Sequence, residues 1–337
     1  MRYRELGHTG MMVSEVVMGG NEITPNNYEH VFLALDMGLN YLDTSPAYGR
    51  GKSEAGFARV IKRRPRDSFY LTSKVSLWDD NRNRLFQAIF DSLSAPEQKR
   101  LTHLAAADIE RRQAAHPDYL VNYFGSQKKE LESAALSNVM EKEFRDKIDR
   151  GKNYKRLIMD SVEGSLTRLG TDYLDVIMCP HGASSPYELT DFPEILEAFE
   201  ALKLAGKVRH LGVSAHTDPA NVLEAAIKTG VYSVAMLAYN IVNHSFMDEK
   251  IAEAKSKGFG VIAMKVARPV FPGPNRGEGH AAGLASLKAQ VKGDWTTPQK
   301  AYIWALRNPN LSGVISNMVN AEQVKANLPL PAMAESV

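Results

Sequence analysis

Residues 15–26, EVVMGGNEITPN, decide the fold. An apolar run of strand length ends in two adjacent glycines, and a polar turn follows. An open, doubly wound sheet that binds a dinucleotide would show G-x-G-x-x-G after its first strand. Here no third glycine follows before Gly38. That absence matters because the rest of the chain announces a parallel sheet. Short apolar runs recur at 15–19, 39–43, 69–75, 174–179, 208–214, 232–239, 260–266 and 311–316. Amphipathic helical patterns lie between them, at 28–37, 53–62, 155–168, 193–205, 219–229, 246–257, 297–307 and 320–328. Eight strands alternating with helices imply crossover connections. Eight is also the number that closes into a (β/α)8 TIM barrel, with its active site at the carboxyl ends of the strands. The expected fold is therefore α/β, a single barrel domain spanning 1–337.

One region breaks the rhythm. About eighty residues separate Lys74 from the helix near 155, where a strand-to-helix connection normally takes about two to six. Residues 79–152 read as a helical insertion between the third strand and the third barrel helix. An aromatic break, HPDYLVNYFGS at 116–126, interrupts it. Because it follows a strand, it should sit on the C-terminal face as a lid, a substrate wall or a homo-oligomer contact. A second irregular stretch, ARPVFPGPNRGEGHAAG at 267–283, opens onto the same face.

The composition is that of a globular protein able to bury a core, with 44% hydrophobic and 24% charged residues. A net charge of +2 leaves no electrostatic footprint for nucleic acid. The single cysteine, Cys179, excludes an internal disulfide and a multi-cysteine zinc site. No run approaches the roughly 20 apolar residues of a membrane span. The N-terminus lacks a signal-peptide pattern, so the expected location is cytoplasmic.

The polar residues just past the strand ends form a set. The second strand contributes Asp43 and Tyr48, the third Lys74, the fourth His181, the fifth Ser214 and His216, and the seventh Lys265. In a barrel these converge on one mouth. A phenol is a poor acid at neutral pH unless a neighbouring cation stabilises its anion. Lys74 suits that task, with Asp43 holding its charge and His181 orienting a carbonyl. Such a site protonates a carbonyl oxygen while hydride reaches the carbon. No side chain supplies hydride, so a nicotinamide cofactor is required.

These blocks resemble the aldo-keto reductase family. The resemblance runs through YRELGHTGMMVSEVVMGG, LDTSPAYGRGKSE, LTSKV, RLGTDYLDVIMCPHG, GKVRHLGVS, LAYN, GVIAMK and VISNMVNAEQVKANL. It covers about 1–78 and 154–330, leaving out the insertion. It implies a barrel that binds an extended nicotinamide dinucleotide, and a tetrad of Asp43, Tyr48, Lys74 and His181. Cofactor contacts carried over are Ser214, Lys265, Asn317, Gln323 and Asn327. Trp78 and His216 are candidate substrate contacts. The implied partner is a small carbonyl compound, an aldehyde or ketone of a sugar or other polar metabolite.

Four departures stand out. His181 lies six residues after Asp175, one more than the family spacing, so a bulge at Cys179-Pro180 is needed to aim it inward. The Ser-Asn pair of the fifth strand is Ser214-Ala215, and the sixth-strand glutamine is Met236. The nicotinamide-stacking aromatic is Met264. Asn317, Met318 and Gln323 stand where the family places its lysine, serine and arginine for the 2′-phosphate. Family habit alone slightly favours NADP over NAD. Two other classes fit the residues: a cofactor-binding regulatory or redox-neutral barrel, and a metal-dependent hydrolase using Asp43, His181, His216 and His244.

Overall fold

A computed structural model describes residues 1–271 and 279–334. The chain opens with an antiparallel hairpin, β1 (Tyr3–Glu5) and β2 (Met12–Ser14). Eight parallel strands then close a barrel: β3 (Val16–Gly19), β4 (Tyr41–Asp43), β5 (Tyr70–Lys74), β6 (Leu174–His181), β7 (Val208–Ala215), β8 (Val234–Ala238), β9 (Gly260–Met264) and β10 (Gly313–Ser316). They pair in chain order, and β10 closes against β3. Each lies within or beside a run marked by the sequence. β6 extends two residues past its expected end, to His181.

The barrel interior is packed. Val17, Tyr41, Val176, Met178, Val234, Met236, Ile262 and Met264 form one apolar cluster with Leu6, Met11 and Val13 of the hairpin segment. A backbone bond from the His8 amide to the Gly258 carbonyl and a bond from the Ser312 hydroxyl to the Glu5 carbonyl tie the hairpin to residues preceding β9 and β10. The hairpin is therefore the plug at the N-terminal end. One inward position tolerates no side chain: a Cβ on Gly212 would meet the Met178 sulfur at 2.5 Å.

Helices at Glu29–Asp36, Lys52–Ile61, Leu157–Leu169, Pro193–Leu204, Pro219–Thr229, His244–Ser256, Thr297–Leu306 and Ala321–Asn327 match the expected positions. The helix Ala281–Gln290 was not marked by the pattern, since its run of small residues shows little apolar face. Of the stretch 267–283, residues 272–278 lie outside the described residues.

The segment between β5 and Leu157 forms three helices, Trp78–Asp91, Ala95–Arg111 and Gln127–Phe144. The second starts on a Ser94/Glu97 capping box with proline in its first turn. The aromatic break at 116–126 carries much of the anchoring. The Tyr119 hydroxyl donates to Asp218 Oδ1 at 2.7 Å and accepts from the Ala220 amide at 2.7 Å. Asn240 Nδ2 donates to the Tyr123 hydroxyl at 2.8 Å. Arg112 pairs with the buried Asp218, and Asn138 Nδ2 donates to Ser185 Oγ at 2.8 Å. Ser185, Asp218 and Asn240 follow β6, β7 and β8 respectively, so these contacts lie on loops at the C-terminal ends of the strands.

Candidate active site

At that end a cleft of about 770 Å³ is lined by Asp43, Tyr48, His181, His216, Lys265, Asn317, Gln323 and Asn327, among others. Asp43 reaches it from an inward position at the end of β4, and Lys74 lies beside Asp43 at the end of the neighbouring β5. Lys74 is 1% exposed, and its ammonium donates to Asp43 Oδ1 at 2.5 Å and to the Thr44 carbonyl at 2.8 Å. It also interacts with the Tyr48 phenol, its Nζ lying 4.7 Å from the ring centroid. Two donors of the ammonium are thereby engaged, and its charge faces the phenol ring. Tyr48 sits on the turn after β4, where its amide bonds to the Ser45 carbonyl at 3.1 Å.

His181 owes its aim to register. Met178 pairs with Gly212 and His181 with Ser214, so three steps along β6 span two along β7. This bulge absorbs the extra residue noted in the sequence. Without it, strict alternation from Val176 and Met178 would turn Pro180 inward and His181 away. The ring instead lies 6.5 Å from that of Tyr48, edge to face, and 6.3 Å from that of His216. Its Nδ1 is 2.9 Å from Ser76 Oγ.

Electrostatics sharpen the roles. Burial raises the Tyr48 phenol above its usual value, against the opposing pull of Lys74. The sequence suggests that the cation dominates; in the folded protein burial does, and the phenol holds its proton at neutral pH. Lys74 resists the downward push of burial because Asp43 and Tyr48 raise it, so it stays charged. Burial also pushes Asp43 upward, opposed by Lys74. His181 and His216 are held well below the ordinary imidazole value, chiefly by burial, then by Lys74 and Lys265 for the first and by Lys265 for the second. Both rings are neutral at pH 7.

The remaining sequence candidates divide. Lys265 follows β9 in the left-handed region, at φ 60°. Asn317 lies directly over Gly19, whose hypothetical Cβ would sit 1.9 Å from Asn317 Oδ1. Gln323 and Asn327 line the cleft but also tie their helix to the segment before it: Gln323 Oε1 accepts from the Val319 amide at 3.0 Å, and Asn327 Nδ2 donates to Ser316 Oγ at 3.0 Å. Ser214 does not line the cleft; its Oγ is buried and without a hydrogen-bond partner. His216 is there, with the Phe124 ring of the insertion against it at 5.6 Å. Trp78 is not. It is fully buried, packed against Tyr154 and Phe192 at 5.2 and 5.1 Å, and is placed as a core residue rather than a cleft wall.

Two residues escaped the sequence reading, Ser45 and Ser76, whose hydroxyls lie 2.6 Å apart. The signal was available. Each stands two residues beyond a marked inward residue, Asp43 or Lys74, in the same alternation parity.

An elongated dinucleotide fits this cleft chemically. The described lining combines the cations Lys265 and Arg268 with amides at Asn317, Gln323 and Asn327. The orphaned Ser214 hydroxyl lies in register beside His181. Among the described residues no cluster of three or more His, Cys, Asp or Glu side chains is arranged to hold a metal ion. Nor is any helix among them long and apolar enough to cross a membrane.

Comparison with known proteins places the chain in a family. The aldo/keto reductase family model matches residues 16–332, and the chain belongs to that family. An uncharacterized oxidoreductase, YqkF of Bacillus subtilis, is 22% identical over 97% of this chain and 90% of its own length. The NADH-specific methylglyoxal reductase of Escherichia coli is 22% identical over 86% of this chain and 78% of its own. Among solved structures, aldo-keto reductase AKR11C1 from Bacillus halodurans covers 98% of this chain and 90% of its own, with a TM-score of 0.64 at 23% identity. Family and fold together make this protein an NAD(P)-dependent oxidoreductase acting on carbonyl compounds.

Proposed function

We propose that the protein reduces a small polar aldehyde or ketone, with Tyr48 as the general acid. One observation carries the reading: the Lys74 ammonium is held by Asp43 while it faces the Tyr48 phenol at the cleft floor. A bound reduced nicotinamide supplies the hydride. Tyr48, kept protonated by burial, gives its proton to the carbonyl oxygen as negative charge develops there. Lys74 stabilises the phenolate left behind, and Asp43 keeps the lysine charged and aimed. Neutral His181 donates a hydrogen bond that positions the same oxygen. Lys265 holds the nicotinamide end, and Asn317, Gln323 and Asn327 the adenosine end. The insertion contributes Phe124 to the wall behind His216.

Family habit points to NADP, but the described lining around Asn317, Gln323 and Asn327 supports NADH. At the positions that resemble the family's 2′-phosphate contacts stand Asn317, Met318 and Gln323, none of them a cation. A 2′-phosphate there would lose its hydration shell without a compensating cation. Fluorescence titration with NADH and NADPH tests this, tighter NADPH binding being the contrary result. For the mechanism, Tyr48→Phe should leave cofactor binding intact and lower turnover at least ~10²-fold, the usual range for loss of a general acid. Turnover near wild type would remove Tyr48 from the reaction.

A further inference from the structure

Four rings follow one another, contact by contact, from the proposed acid to the insertion. Tyr48 meets His181 at 6.5 Å between ring centroids, His181 meets His216 at 6.3 Å, and His216 meets Phe124 at 5.6 Å. The first three line the cleft, and Phe124 backs His216. With a carbonyl oxygen against Tyr48 and His181, His216 is the next ring that a substituent on the carbonyl carbon meets on that side.

What holds His216 is the insertion. His216 begins the loop after β7, and insertion residues take four polar groups of that loop and the helix turn behind it. Gln127 Nε2 donates to the His216 carbonyl at 3.4 Å. Arg112 and the Tyr119 hydroxyl both bind the Asp218 carboxylate. The Tyr119 hydroxyl accepts from the Ala220 amide at 2.7 Å, and the Arg112 carbonyl accepts from Asn221 Nδ2 at 3.3 Å. The fifth contact is the Phe124 ring itself. Its two neighbours along the chain are fixed in turn. Tyr123 is fully buried, and its hydroxyl accepts from Asn240 Nδ2 on the loop after β8. The Tyr123 amide donates to Oε1 of the fully buried Gln127 at 2.8 Å. A backbone amide can only donate and a carbonyl only accept, so the Gln127 side chain has one orientation between Tyr123 and His216.

We propose that Phe124 and Gln127 are positioning residues that set the size selectivity of the carbonyl site, by holding the His216 ring where it stops a bulky substituent. The inference rests on the carbonyl-reduction reading. A fixed wall discriminates by size, one methylene in an apolar pocket being worth about 10–200-fold; a ring free to swing aside does not. Loops at element ends are ordinarily the mobile part of a fold. Here the insertion turns one of them into a wall.

Steady-state kinetics at saturating reduced nicotinamide, comparing propanal with benzaldehyde, test the wall. Phe124→Ala should raise kcat/KM for benzaldehyde relative to propanal about tenfold, chiefly through KM, while cofactor titration stays as in wild type. Phe124→Leu, which keeps the apolar bulk, should retain the wild-type ratio. His216→Ala should shift the ratio the same way, and adding Phe124→Ala to it should change nothing further, since both act on one wall. Gln127→Met removes both hydrogen bonds at similar volume and should also favour benzaldehyde, which keeps the test open if Phe124→Ala does not fold. A second readout needs no substrate. Burial chiefly holds the His216 imidazole low, with Lys265, His181, Lys74 and Arg268 facing the ring. Phe124→Ala leaves those groups in place and admits water, so the NMR titration of His216, assigned with His216→Gln, should move up toward about 6.5. An unchanged aldehyde ratio in Phe124→Ala, or a further shift in the double variant, overturns the proposal. Wild-type protein inert toward both aldehydes with either nicotinamide would fell the carbonyl reading instead, and the His216 titration would still decide whether the insertion holds the ring.

Discussion

Replacing Lys74 by methionine removes one charge from a buried pair while nearly conserving volume. Asp43 is 2% exposed and loses the ammonium that pairs with it at 2.5 Å. An isolated buried carboxylate escapes the penalty by taking up a proton. The cost of that escape bounds the destabilisation: about 1.4 kcal/mol per pH unit across the roughly three units between an ordinary aspartate and pH 7 gives about 4 kcal/mol. Removing the buried ammonium relieves its own desolvation, so the net loss at pH 7 should be about 3–4 kcal/mol, in line with other broken buried pairs.

The sign of the pH dependence is the sharper test. In the variant, burial without Lys74 holds Asp43 above its unfolded value, so the folded state binds the proton more tightly. Stability from that proton is complete below about pH 4 and is lost as pH rises. Urea unfolding should therefore find Lys74→Met impaired by only about 1–2 kcal/mol at pH 5, against about 3–4 at pH 7. The double variant Asp43→Asn/Lys74→Met has no carboxylate to titrate and should lose this difference. Equal losses for Lys74→Met at the two pH values would refute the view that Asp43 carries the charge that Lys74 compensates.

Two further outcomes are expected. Asp218→Asn breaks the buried pair with Arg112 and weakens the bond from Tyr119; because Arg112 keeps Asp108, the loss should be about 2–3 kcal/mol. Limited proteolysis should then cut within 112–126 before the barrel, and a wild-type cleavage pattern would show that the insertion does not depend on this anchor. Gly19→Ala drives a Cβ into Asn317 Oδ1. The same Cβ lies 2.8 Å from Ile315 Cγ2, so thermal stability should fall by about 1–3 kcal/mol while dinucleotide affinity drops several-fold by titration; unchanged affinity would separate Asn317 from the cofactor.

Much of the site was legible because barrel geometry turns strand ends into neighbours. Asp43, Lys74 and His216 needed only the strand positions and the alternation rule. Ser45 and Ser76 obey the same rule and were passed over because serine in a turn carries no chemistry until its partners are known. Trp78 shows the opposite failure. Its place four residues beyond the β5 end suggested a wall, but it is fully buried with its ring against Tyr154 and Phe192.

By itself the sequence determined the eight strands, most of the helices around them, the place of the insertion and the residue types at the mouth. Those follow from local apolar periodicity and glycine punctuation, which a short window contains. The tertiary structure decided the rest. The aim of His181 depends on a register shift against β7, a strand some thirty residues away, and no local pattern specifies which residue of β6 is left unpaired. The proton on Tyr48 depends on burial outweighing Lys74, a balance set only when walls distant in sequence exclude water. The contacts among Ser45, Ser76 and His181 likewise exist only once three strand ends meet.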